Sequence, residues 1–476
     1  MKHTDLYING NWRESSDEQR FDVINPADES VLASVASASI ADARAALDAA
    51  DGAFAEWAGR TPRQRAEVLR KAFELMTARL EDFARLITLE NGKARGDATG
   101  EAAYAAEFFR WFSEEAVRAD GLISRGPSSG ARILVQHKPA GIAVLITPWN
   151  YPAAMGTRKI APALAAGCPV IIKPASETPL TMLELMPLLE EAGVPPGVVN
   201  VLPSRRTGEV VEAMLHDPRV RVVSFTGSTE VGRKLLRTAA DRVIKPAMEL
   251  GGNAPLIVFE DADIDVAVQG AMLAKMRNLG EACTAANRLY VHQDVAETFI
   301  EKFTGAMAGL KLGNGLDQDV DVGPLVNAAT RDKVAAFVSD ALARGARLHL
   351  GGAVPNGKGF FYPPTVLSNV PRDAECVADE IFGPVAAIQT FTDEKDVISR
   401  ANDTEYGLVA YVFTRDIGRG LRVCERLDYG MVGLNRGLVS DPAAPFGGTK
   451  QSGLGREGGH EGMLEFMETQ YISVDW

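Results

Sequence analysis

The amino-acid sequence predicts an α/β fold built on parallel β-sheet. Four short runs after Gly141 are almost entirely apolar: IAVLITP, PVIIKP, VVNVLP and VRVVSFTG. Such runs suit strands that are buried on both faces. Helical stretches such as PLTMLELMPLLEEAG and TGEVVEAMLHD separate them, and this alternation is typical of βαβ units. A second α/β segment begins at APLIVFEDADIDVAVQGAML and extends to about Gly447.

The first hundred residues are predicted to be helical. In TPRQRAEVLRKAFELM, Thr61 suits an N-cap, Pro62 takes the first helical position and Gln64 the capping-box position. A second helix is predicted to begin near Glu81 and to end at Gly92, because glycine readily adopts the left-handed conformation that stops a helix.

Two segments differ from this regular pattern. GPSSGARILVQHKPAG, residues 126–141, is rich in turn residues and then β-prone, which predicts a protruding hairpin. The tail ETQYISVDW is a β-prone strand with nothing after it. We expect this strand to pair with another element of the chain or with another subunit.

Composition excludes some classes of partner. The chain has 476 residues, which suggests two or three domains of roughly 100–200 residues each. Its 50 basic and 63 acidic residues give a formal net charge of -13. This charge argues against a nucleic acid or an anionic membrane surface as the main partner, although a local basic pocket for an anionic substrate remains compatible with it.

The spacing of cysteines and histidines argues against a disulfide framework and against a metal site. The four cysteines lie far apart with no CxxC spacing, which is typical of a reduced, intracellular protein. The six histidines form no HExxH pair, so no metal is expected. The first residues lack an apolar signal segment and no run of about 18 apolar residues occurs, so a cytoplasmic location is expected.

One cysteine lies in an unusual context. Cys283 is bracketed by glycine and small residues in RNLGEACTAANRL. A free cysteine is often just a small buried hydrophobe, and the alternative is a catalytic nucleophile. The residues next to Cys283 alone favour a buried hydrophobe. The rest of the sequence favours a catalytic nucleophile instead.

Two polar residues suit chemistry at such a nucleophile. Asn150 in TPWNYP follows the first buried strand, where its amide could donate to a developing oxyanion, or could form a local turn. Glu249 in MELGGN precedes two glycines in an apolar neighbourhood that could raise its pKa towards the range of a general base. The alternative for Glu249 is a solvated surface charge.

Two further segments suit a nucleotide. FTGSTEVG is a strand end, a glycine turn and a helix start, where exposed N–H groups suit a pyrophosphate. Lys173 in IIKPASETP directly follows a buried strand and could reach an adenosine ribose or phosphate, or could be an ordinary surface lysine.

Together and in this order, these segments resemble the aldehyde dehydrogenase superfamily over essentially the whole chain. The matching pieces are PWNYP, KPASETP, FTGSTEVG, MELGGN, NLGEAC, EIFGPV and PFGGTKQSGLGRE. The resemblance is greatest to the semialdehyde dehydrogenases of that superfamily. It implies a Rossmann-like cofactor domain (residues 1–124 and 141–248), an α/β catalytic domain (249–447) and a small β oligomerisation element (125–140 and 448–476). A dimer or tetramer is therefore expected.

The resemblance implies a role for each matching position. Cys283 is the nucleophile, the Asn150 amide and the Cys283 backbone N–H hold the oxyanion, and Glu249 activates the water that hydrolyses a thioester. Lys159 matches a lysine near the active site. The cofactor positions, which contact adenosine, phosphates or the nicotinamide ribose, are Thr147, Trp149, Lys173, Ser176, Gly208, Gly227, Ser228, Glu380 and Phe382.

Ser176 indicates the choice of cofactor. Relatives that prefer NAD often carry a glutamate at this position, where it binds the ribose hydroxyls and repels a 2′-phosphate. Ser176 with Lys173 could accept that phosphate, so NADP is expected, with NAD as the less favoured alternative. Glu177 lies next to this position.

Two arginines and a serine indicate the substrate. Arg158 lies eight residues after Asn150 and Arg277 six residues before Cys283, and arginine suits a carboxylate. By resemblance, these arginines and Ser440 match positions that bind the substrate carboxylate of succinate-semialdehyde dehydrogenases. Oxidation of succinic semialdehyde to succinate is therefore expected. Glutaric semialdehyde and a sulfonated aldehyde remain open as alternative substrates, because one methylene changes binding by only about 1–3 kcal/mol. A general aldehyde dehydrogenase also remains open.

The sequence departs from the pattern of the family at two positions near Cys283. Ala285 stands where many semialdehyde dehydrogenases have a second cysteine, so no local disulfide switch is expected, and Glu281 stands where glutamine is frequent.

Three other interpretations of the chain are less favoured. A cysteine hydrolase would need a histidine base, and no histidine shares a motif with Cys283. A CoA-acylating enzyme would generally lack the glutamate at 249, and a non-catalytic protein on the same fold would not need Cys283, Glu249 and Asn150 together.

Overall fold

The computed structural model describes residues 2–475, and its elements are numbered here in chain order. The strands are Leu6–Ile8 (β1), Asn11–Arg13 (β2), Arg20–Ile24 (β3), Val31–Ala36 (β4), Leu122–Arg125 (β5), Arg132–Pro139 (β6), Ile142–Ile146 (β7), Val170–Lys173 (β8), Val199–Val201 (β9), Val220–Thr226 (β10), Lys245–Glu249 (β11), Ala254–Val258 (β12), Ala286–His292 (β13), Arg347–Leu350 (β14), Thr365–Ser368 (β15), Val385–Phe391 (β16), Val409–Phe413 (β17), Met431–Leu434 (β18), Gly453–Leu454 (β19) and Met467–Val474 (β20).

Helices cover these strands, and two short 3-10 turns, Arg277–Gly280 and Lys450–Ser452, accompany them. The α-helices are Ile40–Gly59 (α1), Pro62–Ala78 (α2), Leu80–Asn91 (α3), Arg95–Glu115 (α4), Ala154–Ala166 (α5), Leu180–Ala192 (α6), Thr207–Leu215 (α7), Thr229–Ala240 (α8), Ile264–Met276 (α9), Gln293–Ala308 (α10), Ala328–Ala343 (α11), Glu375–Ala378 (α12), Glu394–Asn402 (α13), Ile417–Arg426 (α14) and Glu461–Leu464 (α15).

The first large sheet has the strand order β19-β11-β10-β7-β8-β9-β1-β2. The pairs β11–β10, β10–β7, β7–β8 and β8–β9 are parallel, as the apolar runs predict. Both faces of β7 and β8 are buried, so the fold class is confirmed. The carboxyl ends of these strands carry the segments that follow Ile146, Lys173, Thr226 and Glu249 to one edge of the sheet.

The second large sheet has the order β14-β15-β16-β13-β12-β17-β18 and is mainly parallel. Its central strand β13 is buried at every position and begins three residues after Cys283. Helices α9 and α10 pack on it through a core of small aliphatic residues and phenylalanines such as Phe299 and Phe303. The sheet therefore fixes the end of the loop that carries the cysteine.

The hairpin and the tail form one small sheet in the order β20-β6-β5. Strand β20 runs antiparallel to β6 over eight residue pairs, from Met467 opposite Pro139 to Val474 opposite Arg132. The predicted hairpin and its pairing with the tail are thus confirmed within one chain. Trp476, the last residue of the predicted tail strand, lies outside the described residues.

Local helix signals are also confirmed. Thr61 and Gln64 form a reciprocal capping box on α2, with Pro62 in the first turn. Helix α3 ends at Gly92, which has φ 96°. The expectation of an all-helical first hundred residues is wrong, because residues 6–36 contain β1 to β4. The Arg20–Ile24 strand shows the alternating burial of a half-exposed strand, a pattern that is too short to outweigh the longer helical periodicity beside it.

Candidate active site

One cleft contains ten of the predicted site residues. Its empty volume is about 1030 Å³ including the open mouth, a size suited to a small-molecule ligand. Residues after strands of both large sheets line it. The ten predicted residues in its lining are Trp149, Asn150, Arg158, Gly227, Ser228, Arg277, Cys283, Glu380, Phe382 and Ser440.

The loop that carries Cys283 has an unusual backbone. Asn278, Leu279 and Gly280 have positive φ values of 52°, 55° and 76° between the end of α9 and the cysteine. A Cβ atom on Gly280 would lie 2.4 Å from the Gly383 carbonyl oxygen, so only glycine fits there. A Cβ on Gly252 would similarly lie 2.4 Å from the Cys283 carbonyl oxygen. Gly252 thus allows the segment after Glu249 to approach the Cys283 loop closely.

Asn150 lies directly beside this loop. Its Nδ2 donates to the Glu281 carbonyl oxygen at 2.9 Å, which uses one of its two N–H groups. The Cys283 backbone N–H donates no hydrogen bond within residues 2–475. One amide N–H of Asn150 and the Cys283 N–H therefore remain available as donors to an oxyanion in the cleft.

Burial and several nearby charges act on the pKa of the Cys283 thiol. Burial raises the pKa of Cys283 to about 12, and the carboxyl groups of Glu380, Glu249 and Glu457 act in the same direction. The Arg158 guanidinium opposes them by lowering this pKa. Arg158 is consequently the cation that favours the thiolate form.

Glu249 is buried at the end of β11 and does not line the cleft surface directly. Its Oε2 has no hydrogen-bond partner within residues 2–475. Burial, and next the Glu457 carboxylate, raise the pKa of Glu249 well above its ordinary value, while Lys159, Arg158 and Arg456 oppose the shift. The solvated-surface alternative for Glu249 is therefore wrong, and the side chain has the properties of a buried base.

Glu457 links the charged residues of the site, and the sequence analysis assigned it no role. Its carboxylate pairs with the Lys159 ammonium and lies 3.5 Å from Nη1 of Arg158. Lys159 also donates to the Ser224 hydroxyl at 2.9 Å and is buried on α5, outside the cleft lining. The only available signal was the position of Glu457 at the end of PFGGTKQSGLGRE.

The two arginines that were predicted to bind the substrate have different surroundings. Arg158 donates to the Tyr104 hydroxyl and lies over the Phe446 ring, with 4.1 Å to its centroid. Arg277 stacks against the rings of Tyr151 at 5.2 Å and Tyr104 at 5.6 Å. Within the described part of the chain, Arg277 has no ion pair, so its guanidinium is free to bind an anion.

The cleft continues past Cys283 towards the predicted cofactor positions. Ser228 is the N-cap of α8 and Gly227 precedes it, so the start of this helix faces the cleft. The Trp149 and Phe382 rings meet edge to face at 5.3 Å. Burial raises the pKa of Glu380 to about 7, and its Oε1 accepts from the Gly252 N–H at 3.2 Å.

The remaining cofactor positions lie farther along the edge of the first sheet. The Thr147 N–H donates to the Lys173 carbonyl oxygen at 3.2 Å, which joins the ends of β7 and β8. The Ser176 hydroxyl donates to the Ser204 carbonyl oxygen at 3.2 Å. Gly208 lies exposed in the first turn of α7 with open space where a Cβ would stand. These positions are therefore adjacent along the sheet edge and separate from the Cys283 end of the cleft.

Lys173 has the features of an anion-binding residue. Its side chain is buried, yet it makes no hydrogen bond or ion pair within residues 2–475. Burial lowers the pKa of Lys173 to about 8; Glu177 raises it and Arg205 lowers it. A buried ammonium near a second cation and the Ser176 hydroxyl fits a phosphate group of a nucleotide. The second cation is Arg205, and its segment LPSRRTG did not predict a role in this site.

Other kinds of site are not found in the described chain. Residues 2–475 contain no group of three or more histidine, cysteine, aspartate or glutamate side chains arranged to hold a metal ion. In the same range, every helix is too short or too polar to cross a membrane. All four cysteines are free thiols.

Comparisons with known proteins agree with this geometry. A family model described as the aldehyde dehydrogenase family matches residues 12–472. A succinate-semialdehyde dehydrogenase from Paenarthrobacter nicotinovorans is 55% identical over 444 residues, which is 93% of this chain and 99% of that protein. The Escherichia coli K12 protein named succinate-semialdehyde dehydrogenase (NADP(+)) GabD is 47% identical, with 98% of this chain and 97% of that protein covered.

A solved structure agrees as well. A crystal structure described as an E. coli NADP-dependent enzyme superimposes with a TM-score of 0.98 at 46% identity, covering 100% of this chain and 98% of that chain. The match extends over both large sheets and the small one, because nearly the whole of each chain is covered. The chain belongs to the aldehyde dehydrogenase family.

Proposed function

We propose that the chain oxidises succinic semialdehyde to succinate with NADP as its cofactor. The observation that carries this proposal is the pair Cys283 and Arg277 in one cleft: a nucleophile for the aldehyde carbon and a guanidinium with no carboxylate partner. The relatives named succinate-semialdehyde dehydrogenase support the same substrate. Arg158 and Ser440 complete the carboxylate end of the pocket.

The first half of the reaction uses Cys283 and Asn150. The Cys283 thiolate attacks the aldehyde carbon, and the carbonyl oxygen becomes an oxyanion. The free N–H of the Asn150 amide and the Cys283 backbone N–H donate to that oxyanion. NADP, when bound, supplies the acceptor for the hydride that leaves the tetrahedral carbon, and a thioester on Cys283 remains.

The second half of the reaction uses Glu249. As a buried base with a raised pKa, Glu249 takes a proton from the water that attacks the thioester carbonyl. The carbon–sulfur bond then breaks with its electron pair on sulfur, which restores the Cys283 thiolate, the acid leaves, and Glu249 releases the proton to solvent before the next turnover. Lys159 and Glu457 form an ion pair near Glu249. Glu457 raises the pKa of Glu249 and Lys159 lowers it.

Lys173 and Ser176 select NADP in this proposal. The partnerless Lys173 ammonium would bind the 2′-phosphate, and the Ser176 hydroxyl would turn from the Ser204 carbonyl oxygen to donate to the same group. Thr147, Trp149 and Gly208 would hold the adenosine part. Gly227 and Ser228 would hold the pyrophosphate at the start of α8, and Glu380 and Phe382 would hold the nicotinamide ribose.

The substitution Ser176→Glu is expected to reverse the cofactor preference. A carboxylate beside the 2′-phosphate repels it, so the ratio of kcat/KM with NADP to that with NAD should fall by about 10- to 100-fold. Initial rates with both cofactors measure this ratio. Ser339→Glu, which adds the same charge on the exposed face of α11, should leave the ratio as in the wild type. An unchanged ratio in Ser176→Glu would refute the assignment.

The substitution Arg277→Ala tests the substrate assignment. Wild type should prefer succinic semialdehyde over butanal, its four-carbon analogue without the carboxylate, by orders of magnitude in kcat/KM. Arg277→Ala should reduce that preference by about 30-fold or more, because unpairing one side of a desolvated charge pair costs about 2–5 kcal/mol. The measurement is NADPH formation with each aldehyde.

Arg95→Ala is the matched control, since Arg95 pairs with Glu81 on the surface. It should keep the full preference for the semialdehyde. Equal turnover of both aldehydes by the wild type would contradict the substrate assignment and leave the family assignment intact. Glutaric semialdehyde in the same series separates the longer anionic aldehyde from the shorter one.

We also propose the organisation and setting of the enzyme. The cofactor domain comprises residues 1–124 and 141–248, the catalytic domain 249–447 and the oligomerisation element 125–140 and 448–476. The exposed side chains of Ile123 and Tyr471 on the small sheet support its use between subunits of a dimer or tetramer. The free nucleophilic thiol suits the reducing cytoplasm.

A further inference from the structure

Glu281, two residues before Cys283, has an unusual environment. Its side chain is fully buried on the loop that carries Cys283. Its Oε1 accepts one hydrogen bond, from the Val326 N–H at 3.2 Å. Its Oε2 is buried and has no partner within residues 2–475. An ionised carboxylate normally needs several donors when it is buried, so this environment suits the neutral acid.

The backbone of Glu281 connects it to the reaction centre. Its carbonyl oxygen accepts from Nδ2 of Asn150 and from Nδ2 of Asn278, each at 2.9 Å. Cys283 follows two residues later. A displacement of Glu281 would therefore move the oxyanion donor and the nucleophile together.

The charges beneath this loop disfavour another anion. The Lys93 ammonium donates to the Asn150 carbonyl oxygen at 2.7 Å and pairs with Glu101 at 2.5 Å. Asp97, on the same helix as Glu101, accepts from the Asn278 N–H at 2.9 Å. Lys93 also lowers the pKa of Asp97, so this one buried lysine already interacts with two carboxyl groups. The charged group at the start of the Glu281 loop is Arg277, which stacks on tyrosine rings.

Burial raises the pKa of Glu281 to about 8, against the opposing effects of the Val326 N–H and Lys93. At neutral pH the side chain is therefore mostly protonated. Ionisation would place a third carboxylate near Lys93 and draw the ammonium away from the Asn150 carbonyl oxygen. The contact that holds the Asn150 segment would weaken.

We propose that Glu281 is a positioning residue that acts as a neutral carboxylic acid, holding the Cys283 loop against Val326 and the Asn150 amide in register with the nucleophile. The inference rests on the proposed aldehyde oxidation and adds to it a residue that touches neither substrate nor cofactor. Its neutral form is the competent one, so the site loses this support when the carboxyl group ionises.

The substitution Glu281→Gln tests this through the pH dependence of kcat. The wild-type kcat for succinic semialdehyde should fall by about tenfold per pH unit above about pH 8, whereas Glu281→Gln should hold its pH 7 value to about pH 9. NADP is kept saturating, because the pKa of Lys173 is also about 8 and its ionisation would alter cofactor affinity. The glutamine keeps an oxygen acceptor for the Val326 N–H and cannot ionise.

Glu90→Gln is the matched control. Glu90 is also buried, burial raises its pKa to about 8, and it accepts from the Leu180 and Thr181 N–H groups away from the Cys283 loop. Its pH profile should follow the wild type. Superimposable profiles of Glu281→Gln and wild type, or a loss of more than about tenfold in Glu281→Gln at pH 7, would overturn the proposal.

Thermal stability provides a readout that does not depend on activity. A carboxyl group whose pKa is about 4.5 unfolded and about 8 folded binds its proton more tightly in the folded protein, so stability is lost as pH rises between these values. The Tm of Glu281→Gln minus that of wild type should therefore increase from about pH 5 to about pH 8. A difference that is constant with pH would overturn the neutral-acid assignment, whereas a wild type that oxidises no aldehyde would refute the proposed function alone.

Discussion

Replacing Cys283 by alanine is expected to lower kcat for aldehyde oxidation by about 10⁴-fold or more, with cofactor binding retained. Of the residues that line the cleft, all within the described chain, Cys283 is the only cysteine. Without its sulfur the aldehyde cannot form the tetrahedral adduct with the enzyme. The planar carbonyl carbon that remains does not readily release hydride. Steady-state NADPH formation measures kcat, and a titration of NADP binding checks the cofactor site.

The control for this substitution is Cys424→Ala. Cys424 is a half-buried free cysteine on α14 and is not part of the cleft lining. This variant should keep kcat within about twofold of the wild type. Residual activity of a tenth or more in Cys283→Ala would contradict the covalent mechanism and return the cysteine to a structural role.

Replacing Glu249 by glutamine is expected to reduce steady-state kcat by about 10²- to 10⁴-fold. The first half of the reaction does not need an activated water, and Arg158 still favours the thiolate. The variant should therefore release one equivalent of NADPH per active site in a rapid burst and then stop at the thioester. Stopped-flow absorbance measures the burst amplitude and the slow phase separately.

Glu74→Gln provides a control of identical chemistry on the surface of α2, where Glu74 pairs with Arg70. It should behave as the wild type does in both phases. A Glu249→Gln variant that turns over at the wild-type rate would exclude Glu249 as the base. Loss of the burst itself would assign Glu249 to the first half of the reaction instead.

The parts of the fold that the sequence predicts are those set by local chemistry. The Thr61–Gln64 capping box and the left-handed Gly92 each depend on residues within one or two turns of the chain. The buried strands β7 and β8 are recognisable because both of their faces are apolar. The order of strands in the two sheets cannot be derived from such patterns, because pairing joins segments far apart in sequence.

The same division applies to the site. Asn150, Glu249 and Cys283 were recognisable because each lies in a short segment with its own signal. Glu457 lies at the end of the PFGGTKQSGLGRE segment, but nothing in that segment indicates its partner Arg158, which is 299 residues away in sequence and is brought close only by the fold. The carboxyl group of Glu281 was visible as a departure from a family pattern, and its burial and missing partner became clear only in the structure.

If Cys283 carries the substrate as a thioester, that thioester can be trapped and detected. Glu249→Gln is mixed with succinic semialdehyde and NADP, quenched in acid and examined by mass spectrometry after proteolysis. We expect a mass increase of one succinyl group on the peptide that contains Cys283. NADPH formation without any adduct on that peptide would contradict it.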